Sequence, residues 1–399
     1  VGVLYCVGSC DDPEHLFGLS HMTEHMFFHG STKFPSVDVT AGNLGGTVNA
    51  CTSEDFTMYV TDCPANALHI VLDLESDRMA NFNLKNKDIF EKEKMAVFEE
   101  RLMAVENPPL GIAEEYIMGA LSPQHPYGRE VIGLRHNILG YSCEAIMDHY
   151  KKWYKPNNAA LIVIGDVNAN EVFAQAEQYF GKIKSGEVPK RERVKNALTK
   201  DISHEITYYS DKVSSNKVAL LYNNVPHHST HSEKDIHAIS IGLDALFAGV
   251  VFQFSRYFID KKALASNLSC LFHESLDPRP LSISAALMPD VSIEKFMKEF
   301  FSKIKQVVEH GISEEEFNRA KQNRIKECVY DARDGHQKMR FVFANLALGH
   351  KLDDIEATVE YINSVTHDDV NRMLKSVFAE QPFATVKYLP KVNAKDKSE

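Results

Sequence analysis

The sequence has little that would place it in a membrane or on nucleic acid. Its longest clear apolar run, Ala159 to Ile164, is far shorter than the ~18 residues that a membrane-spanning helix needs, and its length favours a buried strand. Acidic residues outnumber basic ones, 55 against 44, which gives a formal net charge of −11. A nucleic-acid-binding domain would show a basic face. The composition therefore argues against a transmembrane segment and against nucleic acid as a partner.

Cysteine pairs and nucleotide-binding motifs are also missing. The seven cysteines are odd in number and include no C-x-x-C pair, which argues against a disulfide scaffold and against a zinc site built from cysteine. The sequence has no P-loop and no G-x-G-x-x-G, so nothing supports nucleotide use. Gly18-Leu19-Ser20 does not extend to the nucleophile motif G-x-S-x-G, because Met22 occupies the last position.

The composition that is present is that of a globular protein with more than one domain. The 399 residues are 44% hydrophobic and 25% charged, ordinary values for folded domains, and the length predicts two or three domains. The segment from Ser185 to Asp201 contains Gly, Pro and a run of charges but few apolar residues, as linkers do. We predict a first domain at 1–188, a linker at 189–200 and a second domain at 201–399.

Apolar periodicity predicts helices and strands in both halves. The predicted strands are 1–8, 47–60 (one or two strands), 159–167, 205–210 and 216–223. The predicted helices are 19–29, 64–81, 87–105, 111–121, 142–154, 170–184, 232–248, 292–310 and 313–335. The order helix, proline, strand ends both halves, at 145–164 and at 369–388. We therefore predict an α+β fold of two related domains. The first strand begins at Val1, so we expect sequence upstream of it.

One short motif has the spacing of a metal site. In His21-Met22-Thr23-Glu24-His25 the two histidines are four residues apart on a predicted helix, so both imidazoles project from one face. Zinc binds imidazole nitrogens, and an adjacent carboxylate can reach a water on the ion without being a ligand. This order, H-x-x-E-H, is the inverzincin signature. The alternative is a surface helix with two unrelated histidines.

A catalytic zinc site also needs a third protein ligand and an open position. The charged helix predicted at 87–105 offers Glu91, Glu93, Glu99 and Glu100. Glu93 and Glu100 are seven residues apart and therefore share a helix face. The alternative is that these charges form a solvated surface. The residues alone leave the third ligand open.

Several stretches resemble the pitrilysin/insulinase family of zinc peptidases, in particular its bacterial, mitochondrial-processing-peptidase-like branch. They are 18–32 around the H-x-x-E-H motif, 45–52 (GGTVNACT), 93–101 (EKMAVFEER), 125–133 and 154–166. The likeness is strong over 1–185 and looser after 200. It implies two similar α/β-roll domains of the metalloenzyme LuxS/peptidase-like fold, each an antiparallel-rich sheet packed with helices, with metal in the first domain only.

The resemblance also implies a role for each residue of the motif. The implied groups are His21, His25 and Glu100 as ligands of one zinc ion per chain, and Glu24 and Glu93 in catalysis, with Glu24 as the general base and Glu93 as a supporting carboxylate. Glu99 is the local competitor of Glu100. Asn49 and Ala50 resemble the family's edge strand, where a peptide or unfolded segment pairs with the main chain.

One part of the family pattern is missing. Many members carry an Arg and a Tyr, six residues apart, that hold the substrate and the oxyanion. Here these positions are Asp260 and Ser266, and Arg256 is either a substitute or a structural residue. We therefore expect a homodimer, or a heterodimer with a related chain that supplies the Arg and the Tyr.

Two other histidine groups have simpler interpretations. His227, His228 and His231 are close together, but the segment has the composition of a solvated loop before a helix. His29 is predicted to lie at the end of the motif helix, near the negative end of its dipole.

The sequence thus predicts a zinc-dependent metalloendopeptidase that acts on peptides or unfolded segments. One alternative is a non-catalytic or partner-dependent subunit of a peptidase-like complex. Another is a peptide-binding chamber with a vestigial metal site. The compartment stays open, with the bacterial periplasm favoured over the cytoplasm.

Overall fold

The computed structural model describes residues 1–191, 205–228, 230–248, 253–272, 275–331, 333–349 and 355–391. Most of the linker predicted at 189–200 lies outside them. The strands in the described part are β1 (Gly2–Tyr5), β2 (Thr47–Thr52), β3 (Thr57–Asp62), β4 (Ala159–Ile162), β5 (Glu205–Ser210), β6 (Lys217–Tyr222), β7 (Ala265–Leu271), β8 (Leu281–Leu287) and β9 (Ala384–Pro390).

The helices in the same residues are α1 (Leu19–Phe27), α2 (Val37–Asn43), α3 (Leu68–Asn81), α4 (Lys87–Arg101), α5 (Gly111–Leu121), α6 (Arg135–Gly140), α7 (Cys143–Trp153), α8 (Ala169–Phe180), α9 (Glu233–Phe247), α10 (Gln253–Ser255), α11 (Ile293–His310), α12 (Glu314–Asp331), α13 (Gly335–Ala347), α14 (Ile355–Ser364) and α15 (His367–Phe378). Short 3₁₀ turns occur at Ser9–Asp11, Ala65–Ala67, Pro126–Gly128 and Pro156–Asn158, and π-helical turns at Leu102–Glu106 and Arg256–Lys261.

Local signals explain several helix ends. Asn86 caps α4 by accepting hydrogen bonds from two main-chain N–H groups of its first turn. The helix widens into the π-helical turn Leu102–Glu106 and stops before Pro108, where a proline ring would clash with the preceding turn. Ser292 caps α11 in the same way, and Gly311, with φ of 72°, follows its end.

The first unit is built on an antiparallel sheet with the strand order β2-β3-β1-β4. Val3 and Tyr5 on one face of the buried strand β1 belong to a core that includes Phe27 of α1, Tyr59 of β3 and Tyr154. Tyr5 makes an edge contact with Phe27 at 6.0 Å between ring centres. The helix α1 therefore packs against the middle of the sheet and also contacts the edge strand β2.

The opposite face of this sheet is covered by α13, which comes from the second half of the sequence. Leu4 of β1 packs with Met339 and Phe343 of α13, and a side chain at Gly2 would collide with Phe343, since a Cβ would lie 2.5 Å from its Cζ. The sequence prediction assigned residues 334–349 to the second domain, whereas in the described part of the chain they form one compact unit with residues 1–191. The physical reason is that the outer face of the first sheet is apolar and needs cover.

The second unit has a sheet with the strand order β5-β9-β6-β8-β7. Its strands are paired antiparallel except for β5 and β9, which are parallel. Its core joins Leu220 of β6, Leu246 of α9, Phe300 of α11 and Leu374 of α15. Both units thus combine an open, antiparallel-rich sheet with helices. Of the helices described, none has both the length and the apolar character that crossing a membrane requires.

Candidate metal centre

The start of α1 is fixed by the carboxylate of Asp12. Gly18, just before the helix, has φ of 91°, which favours glycine, and a Cβ there would lie 2.4 Å from the Ile132 carbonyl oxygen. Asp12 accepts hydrogen bonds from the N–H groups of Gly18 (2.7 Å) and Ser20 (2.8 Å) and from the Ser20 hydroxyl (2.7 Å). It thereby satisfies donors at the helix start. Burial raises the pKa of Asp12 to about 7 against the effect of these hydrogen bonds.

A buried histidine, His149 of α7, supports the same turn. Its Nε2 lies 3.1 Å from the Ser20 hydroxyl oxygen. Burial lowers the pKa of His149 to about 3, because the interior disfavours the charged ring. An uncharged hydrogen-bonded pair therefore joins α1 to α7 one residue before the motif.

Two histidines of α1 and one glutamate of α4 converge on a single point. His21 Nε2 lies 3.7 Å and His25 Nε2 3.3 Å from the same carboxylate oxygen, Oε2 of Glu100. One potential ligand atom of each residue lies within 4.8 Å of the other two. In the part of the chain that the structure describes, this is the only such group of His, Cys, Asp or Glu residues. Two imidazoles and a carboxylate can hold a divalent cation.

Burial and charge prepare these groups for a cation. Burial, helped by the neighbouring His25, lowers the pKa of His21 to about 4 despite the Glu100 carboxylate. Burial also acts to lower the pKa of His25, but the nearby carboxylates, Glu100 foremost, outweigh it and raise this pKa. The contact with His25 lowers the pKa of Glu100. At neutral pH His21 is uncharged and Glu100 is ionised, which are the forms that bind metal.

Glu24 lies beside the two histidines and is held by a hydroxyl of the edge strand. It is buried, and its Oε2 accepts a hydrogen bond from the Thr52 hydroxyl at 2.6 Å. Burial raises the pKa of Glu24 although the Thr52 hydrogen bond acts in the opposite direction. A carboxylate with a raised pKa takes up a proton more readily, as a general base must.

Glu93 lies between two imidazoles. Its Oε2 is 3.5 Å from His25 Nδ1, and its Oε1 is 3.1 Å from Nε2 of His29. Glu93 therefore faces the ring nitrogen of His25 that points away from Glu100, the place of a supporting carboxylate in metal sites.

The other two acidic candidates of α4 lie elsewhere. Glu99 is exposed, and Glu91 pairs with Lys94 at 2.8 Å. The structure thus brings two of the four candidate glutamates, Glu93 and Glu100, to the histidines.

Asn49 and Ala50 lie on β2, which is an edge of the first sheet. The Ala50 N–H donates to the Asn49 side-chain oxygen at 2.9 Å. The Ser53 N–H donates to the Phe56 carbonyl on the β3 side at 2.8 Å. N–H groups alternate between the two sides of an antiparallel strand, so the main chain of Val48, Ala50 and Thr52 points to the outer edge. Thr52, at the end of this strand, is the residue that holds Glu24.

The residues predicted to lack substrate-binding donors lie in the second unit. Asp260 and Arg256 are exposed in the π-helical turn Arg256–Lys261. Ser266 is exposed on β7, where its hydroxyl donates to the Ala286 carbonyl at 3.3 Å. A carboxylate and a short hydroxyl do not replace a guanidinium and a phenol.

The histidine cluster before α9 is engaged by its surroundings. His228 Nδ1 lies 3.0 Å from the Glu233 carboxylate, and His227 Nε2 lies 2.8 Å from the Ser275 carbonyl oxygen. These contacts fit the predicted loop.

Two family models match the sequence of this chain. Residues 1–134 match the model described as "Insulinase (Peptidase family M16)", and residues 141–324 match the "Peptidase M16 inactive domain". The chain belongs to the M16 peptidase family. The predicted resemblance to the insulinase family of peptidases is thereby confirmed.

Relatives of this M16 chain are similar over nearly its full length. "Zinc protease PqqE" of Helicobacter pylori is 26% identical over 398 residues, covering 97% of this chain and 86% of the relative. An "Uncharacterized zinc protease" of Mycobacterium bovis is 25% identical over 390 residues, covering 97% and 87%.

Solved structures show the same fold. The crystal structure of a protease from Helicobacter pylori has a TM-score of 0.83 at 24% identity and covers 98% of this chain and 94% of that one. A putative M16-like peptidase from Alicyclobacillus acidocaldarius has a TM-score of 0.80 at 21% identity, covering 98% and 92%. The predicted fold class, α+β with two related domains, is confirmed.

The sequence did not predict two contacts of the site, that of Thr52 with Glu24 and that of His29 with Glu93. Thr52 was part of a matching stretch, but nothing in the sequence indicates that its hydroxyl reaches Glu24. For His29 a signal existed, because it follows His25 by four residues and therefore lies on the same side of the helix as the motif histidines.

Proposed function

We propose that this chain is a zinc-dependent metalloendopeptidase that hydrolyses peptide bonds in peptides or unfolded segments. The observation that carries the proposal is the meeting of His21, His25 and Glu100 beside Glu24. A tetrahedral zinc ion with bonds of ~2.0–2.1 Å holds its ligands about 3.3–3.4 Å apart. The separations of 3.3 and 3.7 Å from Glu100 Oε2 fit this ion, and relatives named zinc proteases support it.

The chemistry follows from the positions of the chain's own residues. Bound zinc would polarise the scissile carbonyl and make a water molecule more acidic. Glu24 would accept the proton of the attacking water and pass it to the leaving amine. The Thr52 hydroxyl would hold the carboxylate of Glu24 in place for both transfers. Glu93 would fix the orientation of the His25 ring through Nδ1.

The edge strand β2 supports a peptide as the substrate. Its outward main-chain groups can pair with an extended segment, and its end at Thr52 touches the proposed general base. Pairing of this kind requires a substrate strand with free main-chain groups. Peptides and unfolded segments meet that requirement, whereas folded proteins rarely do.

Replacing Glu24 by Gln tests the proposal. Glu24→Gln keeps the shape of the side chain and its contact with Thr52 but removes the base, so cleavage of a quenched fluorescent peptide should fall by about 100-fold or more. Zinc content, measured by mass spectrometry of the metal, should stay near one ion per chain. Glu99→Gln, on the exposed side of α4, is the matched control.

Each outcome separates the proposal from its rivals. Unchanged cleavage by Glu24→Gln would contradict the role of Glu24. Wild-type protein without zinc would contradict the metal site. Zinc bound with no cleavage at all in either form would favour a vestigial metal in a peptide-binding chamber, whereas weak cleavage by the wild type that Glu24→Gln abolishes would fit a peptidase that needs a partner chain.

We further propose that full activity needs a related partner chain. The supporting observation is that Asp260 and Ser266 stand where many family members have Arg and Tyr, and that both are exposed. In a heterodimer the related chain would supply the Arg and the Tyr for the oxyanion, whereas in a homodimer the second copy, which also has Asp260 and Ser266, would have to offer other donors. In that case the isolated chain would bind zinc but hydrolyse peptides weakly.

A further inference from the structure

The face of α1 that bears the metal ligands continues beyond them to His29. His21, His25 and His29 follow one another at intervals of four residues, and Glu100 and Glu93 of α4 lie between them. Glu100 is 3.7 and 3.3 Å from His21 and His25, and Glu93 is 3.5 and 3.1 Å from His25 and His29. The order along the two helices is therefore His, Glu, His, Glu, His.

Of the two motif imidazoles, only that of His25 has, in the described part of the chain, a carboxylate, Glu93, at the ring nitrogen that faces away from Glu100. The Nδ1 atom of His21 is buried and, among the described residues, has no hydrogen-bond partner. The Nδ1 atom of His25 faces Glu93. A metal-binding imidazole is usually oriented by a group on its other nitrogen, so the position of Glu93 matters for the pair.

His25 alone holds Glu93 only weakly. Its side chain is 28% exposed, and its distance of 3.5 Å from His25 is at the outer limit of a hydrogen bond. The shorter contact, 3.1 Å, is with His29. The main chain of His29 is held at the end of α1, because its N–H donates to the Met26 carbonyl at 3.0 Å, and the residue lines a cavity of about 330 Å³.

We infer that His29 is a positioning residue of the metal centre. It holds the Glu93 carboxylate against His25 and so fixes the ring whose Nε2 faces the ion. The inference rests on the proposed zinc site and extends it by one residue that touches neither metal nor substrate. It requires no change of charge, since a neutral imidazole can donate from Nε2.

Zinc affinity tests this role without relying on peptidase activity. Purified full chain is stripped with a chelator, and the zinc dissociation constant is measured by competition with a chromogenic chelator. Removing an outer-shell partner costs about 10- to 100-fold in affinity, which we expect for Glu93→Gln. His29→Leu acts one contact further out and should weaken zinc binding by about 3- to 10-fold.

Two further variants separate positioning from folding. His29→Gln keeps an N–H donor and should restore most of the affinity lost in His29→Leu. The double variant His29→Leu/Glu93→Gln should bind zinc as Glu93→Gln does, because His29 acts through Glu93. His69→Leu, an exposed histidine of α3, is the matched control. Thermal unfolding of the metal-free forms checks that each variant folds, and His29→Asn, with a shorter amide, replaces His29→Leu if that variant does not.

The outcomes are distinct. A His29→Leu affinity within twofold of wild type, or an equal loss in the Glu93→Gln background, overturns the role of His29 and leaves the zinc site standing. A wild type without zinc overturns the metal site and this inference together. Zinc bound with no cleavage at all contradicts the peptidase proposal and leaves the role of His29 in zinc binding standing.

Discussion

Glu100 and Glu99 are neighbours on α4 with different surroundings, and this difference leads to a prediction. Glu100 lies within 3.7 Å of both motif histidines, whereas Glu99 is exposed. Glu100→Ala should weaken zinc binding by more than about 100-fold, since loss of a ligand exceeds the cost of losing an outer-shell partner. Glu99→Ala should bind zinc as the wild type does. Competition with a chelator measures both, and equal affinities would contradict the assignment of Glu100.

Acid is expected to destabilise the protein through His149. The pKa of this ring is about 3 in the fold and about 6.5 in an unfolded chain. Between these values the unfolded chain binds a proton that the folded protein does not. The free energy of unfolding therefore falls with decreasing pH, by about 1.4 kcal/mol per pH unit below about 6.5.

The variant His149→Gln isolates this effect. Its urea midpoint, measured on metal-free protein, should fall less than that of the wild type between pH 7 and pH 4. Asp12, whose pKa is about 7, acts in the opposite direction, because its protonated form is favoured by folding. This contribution is common to both proteins and cancels in the comparison. Equal acid sensitivity of the two would show that His149 is protonated in the fold.

At the site, the sequence predicted which residues share a helix face, because spacing along the chain determines that. The four-residue interval of His21 and His25 fixes a shared helix face, and the seven-residue interval does the same for Glu93 and Glu100. The helices α1 and α4 pack side by side because both bury apolar residues such as Met22 and Val97 in one core. The spacing of residues within a helix does not predict which other helix it packs against. The contacts of Thr52 with Glu24 and of Glu93 with His29 depend on that packing and were therefore not predicted.

Among the elements, β2 allows the sharpest test of substrate binding. Its Ala50 N–H points to the outer edge of the sheet, where proline is tolerated. Ala50→Pro removes this donor and should lower kcat/KM for peptides by about tenfold, the worth of roughly one hydrogen bond, with zinc affinity unchanged.

Ala50→Ser keeps the N–H and is the control for this experiment. Thermal unfolding of both variants checks that the sheet is intact. Unchanged peptide cleavage by a folded Ala50→Pro would show that the substrate does not pair with this strand.

Helices and strands were predictable where the apolar periodicity is strong, but the elements against which they pack were not. The predicted strands at 205–210 and 216–223 correspond to β5 and β6, and the predicted helix at 292–310 to α11, because caps and alternation are local signals. The assignment of residues 334–349 to a domain was different. An amphipathic pattern shows that α13 buries one face, but the sheet that receives this face is selected by shape at Gly2 and Leu4.

For the whole molecule, the proposed need for a partner can be tested within one chain. Asp260→Arg/Ser266→Tyr introduces the missing donors, and a single oxyanion donor is worth about 100-fold or more in kcat. We expect kcat to rise by at least about tenfold, measured with a quenched peptide.

Lys261→Arg/Asn267→Tyr adds the same side chains one residue further along, at exposed positions, and is the matched control. It should leave kcat unchanged. High activity of the unmodified chain as a monomer would contradict the need for a partner.

The cover that α13 gives to the first sheet has a consequence for the order in which the protein is made. During synthesis the strands of this sheet leave the ribosome long before residues 335–347 do. Until then, the apolar surface around Leu4 and Ile162 stays exposed to water and can associate with other chains, which promotes aggregation. A fragment cut after residue 191 would keep that surface permanently bare.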